Sequence, residues 1–307
     1  MSTTEFVHAA MPPAQGLQVE VVSGSAFETL IEQYMRTREE GSSELWLHLL
    51  GLALERPNDI VGAVRACEPR ELRRQLVGVH VPAWRSMVGV DALEAAARGD
   101  RSLLDHDRYY AGCARDALEP ILPLTPAETK RRILAALEDV HPDPAVVEEL
   151  ERDAAAKRAL AVSPHELIDI AAAGYRYEPE PELDRVVLVP HAAARPWLLL
   201  CQHDRARIIC YPLPSPESLA DRALALGRAL ADDGRVRMVR RLAAGDASLN
   251  ELAEVAGVAR STAHHHLAQL RAAGLVTMRG NARGYWFMLR PEGFADARST
   301  LSELTTP

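Results

Sequence analysis

Seven polar side chains fall within two dozen residues near the C-terminus: Arg260, Ser261, Thr262, His264, His265, Arg279 and Arg283. Their shared chemistry is donation. An arginine fork matches guanine O6 and N7 or a phosphate, hydroxyls near a helix start reach phosphate oxygens, and imidazoles gain charge near pH 6.5. At about 100° per residue, Arg260, Ser261, His264, His265 and Ala268 share one arc of a helix over about 260–273, opposite Ala263, Leu267 and Leu270. That arc suits the major groove of double-stranded DNA, and Arg279 and Arg283 suit a backbone or minor-groove contact. Charging His264 and His265 beside phosphate predicts tighter DNA binding below about pH 6.5.

The neighbouring elements set that arc outward. Leu219, Ala223, Leu226 and Leu230 recur at helical spacing and give a first helix, ended by Asp232-Asp233-Gly234. Val236–Ala244 makes a second, stopped at Gly245. Ser248 and Glu251 have capping-box spacing, so a third helix starts at Leu249. Gly257 fits the tight turn before the fourth, and Gly274 stops it. Leu275–Arg279 and Tyr285–Arg290 then alternate as a hairpin, with a wing at 279–285. In order, these elements form a winged helix-turn-helix.

The stretch resembles the ArsR-type (ArsR/SmtB-like) bacterial transcriptional regulators. The likeness rests on Ala229-Leu230-Ala231-Asp232, Arg235, Leu242, Gly245, Ser248, Glu251-Leu252-Ala253, Gly257, Ser261-Thr262, His266-Leu267, Leu270 and Ala273-Gly274-Leu275-Val276. It covers roughly a quarter of the chain. The resemblance implies a homodimeric DNA-binding repressor or activator paired through the first and last helices of the module. Leu219, Leu226, Phe294, Leu301 and Leu304 are then the dimer interface. Two departures matter. Ala259 stands where the family has a serine cap typically worth about 1 kcal/mol. The Cys-x-Cys pair of the metal-sensing members has no counterpart in Leu249–Ala256, which excludes a thiolate sensor of that kind.

Other constellations have plainer readings. His264 and His266 diverge by about 200° on a helix, so the His264-His265-His266 run is not a metal site, and His266 reads as a packed, hydrogen-bonded histidine. A hairpin at Gln202–Arg205 puts Cys201 opposite Ala206, with Cys210 roughly 13 Å further along, too far for a disulfide and consistent with structural cysteines. Asp105-His106-Asp107 resembles a catalytic fragment only superficially. Ser163-Pro164-His165-Glu166 is a helix start. No GxSxG, HExxH, P-loop or GxGxxG pattern occurs, so no catalytic residue, cofactor or metal is expected.

At 307 residues there is room for two domains. Pro212-Leu213-Pro214-Ser215-Pro216 reads as a stiff connector, giving an N-terminal domain over 1–214 and a DNA-binding domain over 215–307. The latter has twelve arginines and no lysine against ten carboxylates, a balance of +2, so the remainder carries −10 of the chain's net −8. An acidic body with a mildly basic module fits a DNA-binding attachment. Scattered cysteines, no export leader and no membrane span point to a cytoplasmic protein. A strand at Leu17–Val22, helices from Phe27 to about Gly174, many started by prolines, and short β runs at Val186–Val189, Trp197–Cys201 and Arg207–Tyr211 give the fold class: mainly α with small β elements (α+β), the N-terminal part α-rich with a short β-meander. That part could sense a small-molecule effector, enlarge the dimer or recruit a partner. Alternatives are an enzyme with its active site in residues 1–214, or a winged-helix protein–protein adaptor.

Overall fold

The computed structural model describes residues 17–37, 44–105, 118–213, 218–281 and 284–305. Outside it lie His106 and Asp107 of the acidic-histidine run, Tyr109, Tyr110, Cys113, the heart of the proline connector at 214–217, and Arg283. Among the described residues no helix is long and apolar enough to cross a membrane.

Arg185–His191 reads RVVLVPH, an apolar run without alternation, and such a strand must be covered on both faces. It is strand β3, the centre of a mixed sheet with β1 (Gln18–Val21), β5 (Ala206–Pro212) and β4 (Leu199–His203), in the order β1-β3-β5-β4. (β2 belongs to a second sheet.) β1, β3 and β5 are parallel and β4 is antiparallel to β5. The expected meander is therefore corrected: β5 inserts between β3 and β4, because β3 satisfies its second edge with a parallel partner. The hairpin has the expected two-residue loop, but it lies one residue further along the chain. It turns on Asp204-Arg205, with Asp204 at φ 47°, and closes at His203–Ala206. Cys201 thus lies opposite Ile208 rather than Ala206. Its thiol is within hydrogen-bonding reach of Cys210, and that contact, with burial, holds the Cys210 thiol well above its ordinary range. Both remain free thiols.

The sheet separates two cores. Val187, Val189, Ile208 and Cys210 point into one, with α1 (Ser25–Thr37), α2 (Glu44–Leu47), α3 (Leu50–Glu55), α4 (Ile60–Ala66), α5 (Pro69–Leu76), α6 (Pro82–Val88), α7 (Val90–Ala97) and α8 (Pro126–Glu138). Val186, Leu188, Ile209 and Tyr211 point into the other, with α9 (Pro144–Arg158), α10 (Pro164–Ala171) and the C-terminal module. Prolines 69, 82, 126, 144 and 164 occupy first turns, where their missing N–H costs nothing. Pro57 and Pro120 sit in turns instead. In the first core the fully buried Arg73 has no carboxylate partner among the described residues. Its guanidinium donates to the carbonyls of Ala96, Ile121, Leu122 and Leu124 and to Thr129 Oγ1, pinning the turn before α8.

The module contains α11 (Leu219–Leu230), α12 (Asp233–Leu242), β6 (Ala247–Ser248), α13 (Leu249–Ala256), α14 (Arg260–Ala272), β7 (Val276–Asn281), β8 (Gly284–Leu289) and α15 (Pro291–Glu303). α12 begins earlier than its apolar pattern suggests, because Asp232 caps it by accepting from the Arg235 amide at 2.9 Å. Its sheet runs β2-β7-β8-β6, and β2 is Tyr175–Tyr177, from ahead of the proline connector. β2 pairs in parallel with β7, and Tyr175 Oη donates to the Gly280 carbonyl at 2.9 Å. The wing sheet and the second core thus both continue across the expected boundary.

Candidate nucleic-acid interface

The turn into α14 is built as its sequence demands. Ser248 and Glu251 make both bonds of the capping box that opens α13, and Gly257 closes that helix at φ 71°, a left-handed conformation costly to a side chain. α14 follows from Ala259, which supplies no side-chain cap. No cap side chain therefore accepts from its first amides, at an end where Arg260, Ser261 and Thr262 are exposed. Arg260 forms no ion pair among the described residues. Uncapped amides, two hydroxyls and a guanidinium at one helix start are an anion-binding arrangement.

Ala263, His266, Leu267 and Leu270 face inward. His266 is held as a packed histidine should be: Nδ1 lies 3.0 Å from Arg235 Nη1 and Nε2 3.7 Å from Asp232. Burial lowers its pKa, against the pull of Asp232. His264 and His265 diverge from it and are exposed. Among the described residues no group of three or more His, Cys, Asp or Glu is placed to hold a metal.

The far half of the arc meets the rest of the chain. Trp197 packs at a tilt against both imidazoles, with ring centroids 5.3 Å from His264 and 5.5 Å from His265. Ala268, expected to face outward, is corrected: it is buried in the first core. Arg271 donates to the Pro196 carbonyl at 2.7 Å and the Ala173 carbonyl at 3.2 Å, and burial lowers its pKa to about 10. Nothing in the spacing around 260–273 announces these contacts, since Trp197 and Pro196 lie far upstream. A charged imidazole gains on an indole face as well as beside a phosphate. The expected gain in DNA affinity on acidification therefore has an internal competitor.

The wing differs too. Arg279 lies 3.3 Å from Glu178 and 3.3 Å from Asp246, so two carboxylates already match its charge. No pattern in the sequence signals that β2 brings Glu178 alongside. Arg283 is outside the described residues. Of the expected dimer residues, Leu301 and Leu304 are exposed, Leu219 and Phe294 are half-buried, and Leu226 is buried in the second core. Leu226 is corrected because α11 turns Leu226 and Ala229 inward, leaving Leu224 and Leu230 exposed. α11 and α15 are joined by an Arg222–Glu303 pair at 3.2 Å.

Residues 232–278 match the family described as bacterial regulatory protein, arsR family. Similar solved structures include a possible transcriptional regulator for arsenical resistance, 32% identical over 26% of this chain and 83% of that one, with a TM-score of 0.24. NolR from Sinorhizobium fredii is 25% identical over 30% of this chain and 97% of its own, with a TM-score of 0.24. HlyU from Vibrio cholerae is 28% identical over 30% of this chain and 99% of its own, with a TM-score of 0.24. No curated protein matches the chain.

Proposed function

The C-terminal module belongs to the arsR family of bacterial regulatory proteins, and on that premise we propose that the chain is a DNA-binding transcriptional regulator. One observation carries the reading. The first turn of α14, set outward by left-handed Gly257, presents Arg260, Ser261 and Thr262 without an internal carboxylate among the described residues. In the proposal this end of α14 enters the major groove of an operator. Arg260 forks onto guanine or phosphate, the hydroxyls bind phosphate, and His264 and His265 join them. Arg283 is the wing's contribution, while Arg279 keeps its two carboxylates.

The regulator acts in the cytoplasm as a homodimer. Leu224 and Leu230 of α11, Leu301 of α15 and Leu304 just beyond it are exposed large apolar side chains available for pairing. Two-fold pairing presents two copies of α14 to half-sites about one helical turn, roughly 34 Å, apart. The acidic part, residues 1–214, supplies regulation, including the response to a small-molecule effector.

Titration of the full chain against duplex DNA from upstream of its own gene, over roughly 50–200 mM salt, tests the reading. Log affinity should fall linearly with log salt, with a slope set by the number of phosphates neutralised. Absence of salt-dependent binding contradicts it and favours the adaptor alternative.

A further inference from the structure

The outward face of α14 is divided. At about 100° per residue, the core side chains Ala263, His266, Leu267 and Leu270 gather on one side of the helix, and Ser261, His265, Ala268 and Ala272 surround the direction facing away from the module. His264 and His265 flank that direction, and Trp197 touches both rings, so the indole straddles its middle. One turn on, Ala268 is buried in the first core, the cluster that also holds Ala194 and Trp197. Beyond it Arg271 grips the Pro196 carbonyl. Two turns of α14, at His264–His265 and at Arg271, thus meet one segment, residues 192–197, with the buried Ala268 between them.

That segment is held firmly from behind. The buried Glu28 carboxylate of α1 accepts from the Ala193 amide at 2.7 Å and the Ala192 amide at 3.1 Å. His191 bonds the Trp197 carbonyl at 3.1 Å, and Arg195 donates to the Leu213 carbonyl at 3.2 Å. A major groove is about 12 Å wide and a helix with its side chains fills about 10–12 Å of it. No room is left for a second segment on the groove-facing side.

We propose that residues 192–197 are an intramolecular cap on the reading helix: this conformation is closed to DNA, and binding requires α14 to undock from Trp197. The inference rests on the DNA-reading assignment above. It gives the acidic N-terminal part a stated role, since whatever shifts α1 or the 192–197 segment shifts the closed fraction. Apparent affinity is the intrinsic affinity scaled by the open fraction.

The test uses the full chain and a fluorescent duplex from upstream of its own gene, with Trp197→Ala and Arg271→Ala variants checked for folding by circular dichroism. Each variant should bind at least about tenfold more tightly than the wild type by relieving the cap. For Arg271→Ala the sign is diagnostic, because losing a cation otherwise weakens binding to a polyanion. Hydrogen exchange on the unaltered protein covers the case in which a variant does not fold. Saturating duplex should protect 260–265 and deprotect 192–197. Variants that bind no tighter, or a 192–197 segment that stays protected while the duplex is bound, overturn the cap and leave the DNA-reading assignment standing. If neither wild type nor variants bind DNA with a salt dependence, that assignment fails and the cap fails with it.

Discussion

His80 shows what a single side chain contributes when its partners are hidden. Its ring stacks on His203 at 4.4 Å and stands edge-on to His48 at 6.0 Å, while His48 Nδ1 bonds the Leu76 carbonyl at 2.7 Å. Burial first, then the neighbouring charges of His48, His203 and Arg85, pushes the His80 pKa down to about 2, and burial also lowers those of His48 and His203. The folded values lie below the unfolded value of about 6.5, so the unfolded chain takes up protons first. Stability is therefore greatest above about pH 6.5 and falls as pH drops through it, His80 alone contributing up to about 1.4 kcal/mol per pH unit and His48 and His203 acting in the same direction. Urea unfolding at pH 6.5 and pH 5.0 should differ by at least about 1.5 kcal/mol, and His80→Gln should flatten the dependence. A free energy of unfolding unchanged between these pH values contradicts this picture. The three histidines come from distant parts of the chain, and no spacing in the sequence joins them. Arg73 is equally illegible, because the carbonyls and the Thr129 hydroxyl that receive its guanidinium lie 23 to 56 residues away in the chain.

Among elements, those whose rules are local are legible. Ser163 and Ser248 are followed three residues later by glutamate, and both boxes form. Gly257 and Gly274 adopt the positive φ their turns need. Ala259 is the weak point of α14, with an extended backbone at φ −62°, ψ 152° and no side-chain bond to the first turn. Ala259→Ser supplies the missing acceptor at an exposed site, so it should stabilise the protein by about 0.5–1 kcal/mol in chemical denaturation. A serine that leaves the midpoint unmoved argues that the first turn is already satisfied. Strand order is less legible. β3, β4 and β5 are each visible as short apolar runs, but the insertion of β5 between the other two depends on parallel pairing with β3, a non-local choice. The facing of α11 is hidden for a related reason: Leu219, Ala223, Leu226 and Leu230 fit one stripe, yet packing against α14 selects Leu226 and Ala229.

In the whole molecule, one sheet serves two cores, and the second is shared with the winged module. Composition separates an acidic stretch, residues 1–214, from a mildly basic one, residues 215–307, on either side of the proline connector. Neither composition nor connector reveals that β2 extends the module's sheet or that Trp197 lies on α14. Those contacts form between residues far apart in the chain and leave no periodicity to read. They matter because they couple residues 1–214 to the outward side chains of α14, which the module's own sequence presents as freely exposed. The most direct test compares wild type with Arg260→Ala, measuring affinity for duplex from upstream of the gene and for an unrelated duplex of equal length at one salt concentration. Arg260→Ala should lose about 1–3 kcal/mol on the first and much less on the second, so the ratio of the two collapses. A ratio unchanged by the substitution would contradict the placement of the α14 start in the groove.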